Sequence, residues 1–360
     1  MEYKVEICAD RNFTGGVKDN MGSWGGTSST KESMNGLTPG RKYYVRVTAY
    51  YNSGYPNYTY TYGTPSDVIE VVTKPSARVT ELRESNATET SITLSWKKAD
   101  GVNAYRIEYQ KEGINDNKKT INLGNVSSYT VKGLNKNSEY EFCVYPVNKS
   151  QGGYQAVGSS TLLYYVPTLP TKLTGLDCEF WNYSSKYLEL SFNENRIVDG
   201  GQYEIYAYNG KKAIIKGKWS GTKTNPYFSH NKLKGYKFLK IRARHYINVG
   251  GREKYGAWSN WEYFARQPEI RIKKVSGGLK LSWSKVSGAQ NYTVSMSTKQ
   301  KSGYKKVVTT KKTSYTVKKY GKSKLKNNKK YYFSVTANRK VGKKTYKSDD
   351  TYCWYLTYRK

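Results

Sequence analysis

The sequence predicts an all-β fold, and three observations support this prediction. Apolar and polar residues alternate with a period of two in many short segments, which is typical of half-buried strands. The 360 residues include 37 Tyr and only 8 Phe, with abundant Thr, Ser and Val, and such residues favour pleated surfaces. The same succession of strand patterns returns along the chain. We therefore predict tandem β-sandwich domains, arranged as separate beads on a string.

The first repeated strand alternates apolar and polar residues and ends in a large aromatic residue. It occurs three times, as Ile92-Leu94-Trp96, Leu188-Leu190-Phe192 and Leu279-Leu281-Trp283. A second pattern follows each copy, as Tyr105-Ile107-Tyr109, Tyr203-Ile205-Ala207 and Tyr292-Val294-Met296, and also opens the chain as Tyr3-Val5-Ile7. Because a large aromatic residue in this strand fills a sandwich core, we predict buried positions for Trp96, Phe192 and Trp283.

The third repeated element carries a Leu six residues before a Tyr. The three pairs are Leu37 and Tyr43, Leu134 and Tyr140, and Leu325 and Tyr331. This spacing predicts a tyrosine corner, in which the hydroxyl of a Tyr at the start of a strand bonds to the chain that crosses between the two sheets. Together with the core Trp, the corner indicates a β-sandwich.

In this order the three elements resemble tandem fibronectin type III domains, an immunoglobulin-like fold, over nearly the whole chain. The resemblance implies seven-stranded sandwiches of two antiparallel sheets. The Pro-bearing segments VVTKPSA, VPTLPTK and ARQPEI mark the predicted boundaries. We predict an N-terminally incomplete domain at 1–74, a complete domain at 75–168, a divergent domain at 169–268 and a Lys-rich domain at 269–360.

Two of these domains depart from the family pattern. The first begins at its third strand, with Tyr3, so we expect the chain to be a fragment or a reading frame that starts inside a domain. The third has Phe192 in the Trp position and Lys237 where the corner Tyr is expected, with Tyr236 one residue away. We therefore regard a tyrosine corner in the third domain as doubtful.

The third domain also contains a W-S-x-W box, YGAWSNWEYF, behind the strand KIRAR. Arg242 and Arg244 alternate on that strand, so we predict that their guanidinium groups lie against Trp258 and Trp261. Cytokine receptor modules contain a similar box, but they also bring paired cysteines and a membrane span, and the sequence shows neither. A structural role in holding the hairpin is the favoured interpretation, and ligand contact is the alternative.

Residues with catalytic or metal-binding chemistry are scarce. His230 and His245 are the two histidines, and the four cysteines have no zinc-ligand spacing. The sequence contains no P-loop, dinucleotide-binding or serine-hydrolase motif. We therefore predict no enzymatic activity, no metal site and no cofactor, and we expect unpaired cysteines.

The best candidate for ligand binding is the segment YYNSGYPNYTYTYG, from Tyr50 to Gly63. Tyr with Ser, Gly and Asn is the composition of antibody paratopes, because Tyr offers a large, rigid, amphipathic surface. We predict that a protein or carbohydrate ligand binds here, and the alternative is a hairpin whose rings pack only on their neighbours. The candidate residues are Tyr50, Tyr51, Tyr55, Tyr58, Tyr60 and Tyr62.

The formal net charge of +34 is concentrated in the fourth domain, where 269–360 holds 25 Lys and Arg and three acidic residues. Lys is a hydrated point charge, so this segment suits diffuse attraction to an anionic wall polymer better than recognition of bases. The sequence has no specific nucleic-acid motif, and no apolar run reaches the roughly 18 residues of a transmembrane segment. Solvation and the protection of strand edges by Lys is the other interpretation.

The resemblance implies a non-enzymatic extracellular protein, secreted or at the cell surface and similar to modules of bacterial surface proteins. We predict adhesion and spacing as its function, with loops or basic faces that contact a partner. One alternative is the accessory repeat region of a secreted polysaccharide-degrading enzyme whose catalytic domain is missing here. The other is a polyanion-binding module centred on 269–360.

Overall fold

The computed structural model describes residues 1–22, 25–113, 118–180, 186–193, 197–222, 225–235, 237–350 and 353–359. In these residues the regular elements are β-strands and one short 3-10 helix, Asn231–Leu233. Neighbouring strands within the sheets run antiparallel. The prediction of an all-β chain of tandem sandwiches is confirmed. Tyr236 lies outside the described residues.

Contacts between residues divide the chain into two compact units, Met1–Thr168 and Leu169–Lys360. The first unit opens with a single five-stranded sheet. Its strands are β1 (Glu2–Cys8), β2 (Lys18–Asp19), β3 (Lys42–Asn52), β4 (Tyr60–Tyr62) and β5 (Ile69–Val72). The strand order is β2-β1-β3-β4, and β5 also pairs with β3. The described part of 1–74 forms no second sheet.

The rest of the first unit is a complete two-layer sandwich. Its strands are β6 (Thr80–Ala87), β7 (Ser91–Lys97), β8 (Ala104–Lys111), β9 (Lys119–Leu123), β10 (Ser128–Lys132), β11 (Glu139–Lys149), β12 (Gln155–Val157) and β13 (Thr161–Pro167). Strands β10-β7-β6 form a three-stranded sheet, and β12-β11-β8-β9 form the larger sheet, in which β13 pairs with β11. The apolar residues of β7 and β8 alternate inward and fill the space between the two layers.

The second layer of the sandwich covers inward apolar residues that are less buried in the first sheet. In the complete sandwich the inward residues Tyr105, Ile107, Phe142 and Val144 are fully buried. The corresponding residues of the first sheet are only half-buried, namely Tyr3, Val5, Val45 and Val47. One apolar face of the first sheet is therefore partly open in the described residues.

The second unit contains two further two-layer sandwiches. Strands of the third sandwich are β14 (Asp177–Phe180), β15 (Tyr187–Ser191), β16 (Gly200–Ala207), β17 (Ala213–Ser220), β18 (Tyr227–Ser229), β19 (Phe238–Val249), β20 (Arg252–Tyr255) and β21 (Glu262–Ala265). Strands β14-β15-β18 face the sheet β17-β16-β19-β20, in which β21 pairs with β19. The third sandwich thus repeats the division into three and five strands.

Strands of the fourth sandwich are β22 (Ile270–Val275), β23 (Gly278–Trp283), β24 (Asn291–Ser297), β25 (Lys305–Thr310), β26 (Ser314–Val317), β27 (Lys319–Tyr320), β28 (Ser323–Lys324), β29 (Lys329–Val341), β30 (Lys344–Lys347) and β31 (Trp354–Tyr358). Strands β22-β23-β26 face the sheet β25-β24-β29-β30, in which β31 pairs with β29. Strands β27 and β28 form a small separate ribbon. Phe238 and Ala265 of the third sandwich belong to the fourth core, so the two sandwiches share packing.

Aromatic residues occupy the core positions that end the first repeated strand. Trp96 packs on Tyr105 with ring centroids 5.5 Å apart, and Trp283 packs on Tyr292 at 5.6 Å. In the third sandwich the smaller Phe192 packs on Trp219, at 5.4 Å, so a second aromatic ring contributes volume to that core. Burial of each such ring is worth about 2–3 kcal/mol.

The tyrosines of the third repeated element accept hydrogen bonds from the chain that crosses between the sheets. The hydroxyl of Tyr140 accepts from the Asn135 N–H at 2.7 Å, and that of Tyr331 accepts from the Lys326 N–H at 3.0 Å. Tyr43 has the same contact, with Thr38 as donor at 2.9 Å. Lys237 stands at the corresponding register of the third sandwich, because Ala243 faces Tyr203 as Ala337 faces Tyr292.

Candidate binding surface

Five tyrosines of the Tyr50–Gly63 segment are exposed at the hairpin that β3 and β4 form, namely Tyr51, Tyr55, Tyr58, Tyr60 and Tyr62. We call the last four of them the tyrosine surface. Tyr60 and Tyr62 are two residues apart on β4, so their side chains point to the same face. Their rings are stacked at 6.4 Å with an angle of 23° between the planes. The rings of Tyr55 and Tyr58 meet edge to face at 6.4 Å in the turn.

Tyr51 lies on the other side of the hairpin. It pairs with Thr61, whereas its neighbour Tyr50 pairs with Tyr62, and successive residues of a strand point to opposite faces. Its side chain is 65% exposed. The structure thus brings Tyr60 and Tyr62 together and Tyr55 with Tyr58, and leaves Tyr51 apart from both pairs.

The prediction of Tyr50 as a ligand contact is wrong, because this residue is only 2% exposed. Its ring lies against those of Tyr60 and Tyr62, at 5.7 Å and 5.5 Å. Its hydroxyl donates to the carboxylate of Glu2 and accepts from the Gly26 N–H. Burial and the neighbouring Glu2 raise the pKa of this hydroxyl, which keeps it in its donor form. Tyr50 therefore supports the tyrosine surface from below.

Gly26 is required where it approaches Tyr50. A Cβ atom at this position would lie 2.4 Å from the carbonyl oxygen of Tyr3 and 2.8 Å from the Tyr50 hydroxyl. Both distances are far below van der Waals contact, and the first neighbour is backbone that cannot yield easily. A side chain here would displace Tyr50 and, with it, the rings that rest on Tyr50.

Local hydrogen bonds fix the turn between β3 and β4. The Ser53 N–H donates to the Thr59 carbonyl at 3.1 Å, and the Thr59 N–H donates to the Ser53 hydroxyl at 2.9 Å. The Tyr58 N–H donates to the carbonyl of Gly54, whose φ of 74° suits glycine. The exposed rings are therefore presented on a closed hairpin rather than on an irregular loop.

The charge beside the tyrosine surface is balanced. The Lys4 ammonium lies 6.0 Å from the centroid of the Tyr62 ring, and it also pairs with Glu6 at 3.2 Å and Asp19 at 3.6 Å. Phenol rings with hydroxyl groups offer apolar area and hydrogen bonding together. This chemistry suits neutral polar ligands, such as a glycan or a protein loop, better than ions.

A second aromatic cluster, the Arg–Trp stack, lies on the five-stranded sheet of the third sandwich. The guanidinium of Arg242 lies 4.4 Å from the Trp258 ring centroid and 4.9 Å from that of Trp261. The guanidinium of Arg244 lies 4.3 Å from Trp258 and 4.1 Å from Tyr255. Cations and rings therefore alternate along the sheet, and each contact contributes about 0.5–2 kcal/mol.

Backbone contacts hold the W-S-x-W box against β19. The Ser259 N–H donates to the Ala243 carbonyl at 2.8 Å, and the Ser259 hydroxyl accepts from the Ala243 N–H at 3.0 Å. The box itself lies before β21, and these two bonds set Trp258 beside both arginines. The rings of Trp258 and Trp261 already contact arginines of the same chain, which favours a structural role for the stack.

Sequence patterns left two members of the stack unnoticed. Tyr255 covers the far side of Arg244, and the Lys240 ammonium lies 4.8 Å from the Trp261 ring centroid. Lys240 occupies the same alternating positions of β19 as the arginines, so strand periodicity contained a signal for it. Tyr255 offered no comparable signal, because it belongs to the neighbouring strand β20.

The described residues contain no helix with the length and apolar character of a membrane span. Within the same part of the chain, no three His, Cys, Asp or Glu side chains are grouped so that they could hold a metal ion.

One segment of the chain matches a known domain family. Residues 77–160 match the family model of the fibronectin type III domain. A Kelch domain-containing protein of Sulfurisphaera tokodaii is 24% identical over 293 residues, which cover 79% of this chain and 35% of the relative. This chain thus spans about a third of the length of that curated relative.

Two solved structures of chicken proteins have low sequence identity to this chain. The FN1-FN3 domains of CNTN1 are 15% identical and cover 79% of this chain and 100% of their own, with a TM-score of 0.26. A two-domain fibronectin type III segment of tenascin is 16% identical and covers 51% of this chain and 97% of its own, with a TM-score of 0.29. On the match at 77–160, this chain contains a fibronectin type III domain, and a domain of this kind is a binding or spacer module.

Proposed function

We propose that this chain is a non-enzymatic, extracellular adhesion and spacer protein that binds a glycan or protein ligand through its tyrosine surface. The observation that carries the proposal is the exposure of five tyrosines on a hairpin with a buried Tyr50 beneath two of them. Exposed aromatic side chains in such number are unusual on a surface that no partner contacts. The other sandwiches supply the spacing.

The extracellular location and the similarity to bacterial surface modules rest on the fibronectin type III resemblance. The tandem sandwiches give a chain of packed, folded segments, which suits a spacer between a surface and a ligand. The two histidines and the scattered carboxylates of the sequence support the proposal of a non-enzymatic role. Fold by itself does not identify a ligand, so the tyrosine surface carries the specific part of the proposal.

A binding screen tests the proposal. The full chain is applied to arrays of glycans and matrix proteins at about 0.15 M and about 0.5 M salt, which separates charge attraction from contact of rings. The variant Tyr55→Ala/Tyr58→Ala/Tyr60→Ala should lose at least about tenfold in affinity for a salt-resistant ligand.

The matched control changes three exposed tyrosines elsewhere in the first unit, Tyr154→Ala/Tyr164→Ala/Tyr165→Ala. This control should bind as the parent chain does. Equal losses in both triple variants, or the absence of any salt-resistant ligand, would reject the tyrosine surface as the binding site.

A further inference from the structure

The five-stranded sheet of the fourth sandwich carries basic residues and no acidic ones. Its strands β24, β25, β29, β30 and β31 contain eight Lys or Arg. Of the three acidic residues of 269–360, Glu269 precedes β22, and Asp349 and Asp350 lie outside the strands in the segment between β30 and β31. Asp349 accepts a hydrogen bond from the Phe180 N–H of the third sandwich. The positive charge of this sheet is thus not compensated within its own strands.

The outward face of this sheet has a floor of small hydroxyl side chains. Register pairs Thr293 with Thr336 and Ser295 with Ser334, so all four lie on the face opposite the apolar core. Thr336 is only 8% exposed, and the other three residues are half-buried. Short hydroxyl side chains therefore line the middle of this face, which we call the trough.

Three lysines surround the trough. Lys306 of β25 faces Ser295 at one edge of the sheet, and Lys347 of β30 faces Asn338 at the other edge. Lys330 lies near the start of the central strand β29. All three side chains are exposed, and none forms an ion pair in the described part of the chain. Strand β29 advances about 26 Å from Lys330 to Asn338, the residue that faces Lys347. This length can accommodate several repeating units of a polymer.

Tyrosine rings hold one of these lysines in place. The Lys330 ammonium lies 4.0 Å from the Tyr355 ring centroid and 5.7 Å from that of Tyr332. The two rings pack on each other at 5.7 Å across β29 and β31. Cation–π contact of this kind restricts the Lys chain without neutralising its charge.

We propose that this trough binds a phosphate polymer, with Lys306, Lys330 and Lys347 pairing with phosphate groups and the Ser and Thr hydroxyls donating to their oxygens. Ammonium and hydroxyl groups are hydrogen-bond donors, and a phosphate polymer supplies charged acceptors at regular intervals. The site contains Lys in place of Arg, so it recognises the charged backbone and not the edges of bases. The site is independent of the tyrosine surface.

Binding of the full chain to fluorescently labelled inorganic polyphosphate tests this site. The variant Lys306→Gln/Lys330→Gln/Lys347→Gln should weaken binding at least about tenfold at about 0.15 M salt, since three phosphate contacts are lost. The slope of log affinity against log salt should fall by about 2, at roughly 0.7 for each contact with a single strand.

The control variant removes the same charge from another part of the fourth sandwich, Lys318→Gln/Lys322→Gln/Lys324→Gln, at and beside the β27–β28 ribbon. It should change affinity by less than about twofold. Equal losses in both variants would overturn the proposal in favour of diffuse attraction. Equally tight binding of poly-glutamate, with the same loss in the trough variant, would overturn phosphate as the ligand class.

Discussion

The carboxylate of Glu204 accepts two hydrogen bonds from the guanidinium of Arg242, one from Nε at 3.1 Å and one from Nη2 at 2.7 Å. The Tyr206 hydroxyl donates to the same carboxylate at 2.9 Å, and the Lys216 ammonium lies 3.2 Å away. Glu204 is only 6% exposed. It therefore fixes the plane of the guanidinium that stacks on Trp258 and Trp261.

Replacement of Glu204 should loosen the Arg–Trp stack. Burial by itself would raise the pKa of Glu204, but the donors Arg242, Tyr206 and Lys216 outweigh burial and lower it, so the charged form is stabilised. We expect Glu204→Gln to reduce the free energy of unfolding by about 1–3 kcal/mol near neutral pH. Urea unfolding of the full chain measures this loss, and an unchanged second-unit transition would contradict the anchoring role. The exposed Asp350→Asn is the control and should cost less than about 0.5 kcal/mol.

His245 should make the third sandwich sensitive to acid. Burial against Phe192 and Trp219 lowers the pKa of His245 to about 4, from an ordinary value of 6.5. The folded state keeps the ring neutral, whereas the unfolded chain binds a proton below pH 6.5. Stability from this source is complete above pH 6.5 and falls as pH drops towards 4, by about 3 kcal/mol at most. His245→Phe should remove this part of the pH dependence in urea unfolding, and an unchanged acid slope would refute the assignment.

Asp349 should act in the opposite direction. Burial and the neighbouring Glu179, Asp177 and Asp350 raise its pKa to about 7, although the Phe180 N–H opposes them. The folded state favours the protonated acid, so stability decreases as pH rises from 3.8 towards 7. We expect Asp349→Asn to stabilise the second unit by about 1–4 kcal/mol at about pH 8, and to have less effect at about pH 4.

The exposed neighbour provides the control for that experiment. Asp350→Asn removes the same charge at a solvated position and should change stability by less than about 0.5 kcal/mol. Thermal unfolding of each variant at about pH 4 and about pH 8 measures these changes in stability. A loss of stability in Asp349→Asn at the higher pH would show that the carboxylate is needed in its charged form.

The tyrosine corners should contribute to stability through a single hydroxyl. Tyr140→Phe leaves the Asn135 N–H without its acceptor, and Tyr331→Phe does the same for the Lys326 N–H. We expect each change to cost about 0.5–1.5 kcal/mol, because a partly buried hydrogen bond is lost while the ring stays in place. Denaturant unfolding measures both variants, with the exposed Tyr164→Phe as control. Losses no larger than in the control would assign the corners a packing role only.

Strand periodicity was sufficient to predict the all-β architecture. The alternation in Ile92-Leu94-Trp96 and its copies reports which residues face a core, because this signal is local to one strand. The same local rule puts Arg242 and Arg244 on one face of β19. Counting residues along the strand was also sufficient to show that Lys237 stands where the other domains have the corner Tyr.

Features that depend on distant segments were beyond the reach of the sequence. Tyr50 is buried where Glu2 and Gly26 reach its hydroxyl, and these residues belong to β1 and to the segment between β2 and β3. Asp349 acquires its raised pKa from burial and from Glu179 and Asp177, which belong to the distant strand β14. A short sequence pattern does not predict contacts between such distant segments. The burial of Tyr50 beneath the tyrosine surface was therefore visible only in the structure.

The half-open face of the first sheet implies a gradient of local stability within the first unit. Val5 and Val47 lack the complete cover that Ile107 and Val144 have, so opening β1 and β3 exposes less additional apolar surface than opening β8 and β11. Backbone amides of β1 and β3 should therefore exchange their hydrogens with solvent well before those of β8 and β11. The hairpin that presents the tyrosines would then belong to the segment of this unit that opens first and adapts most readily to what it binds.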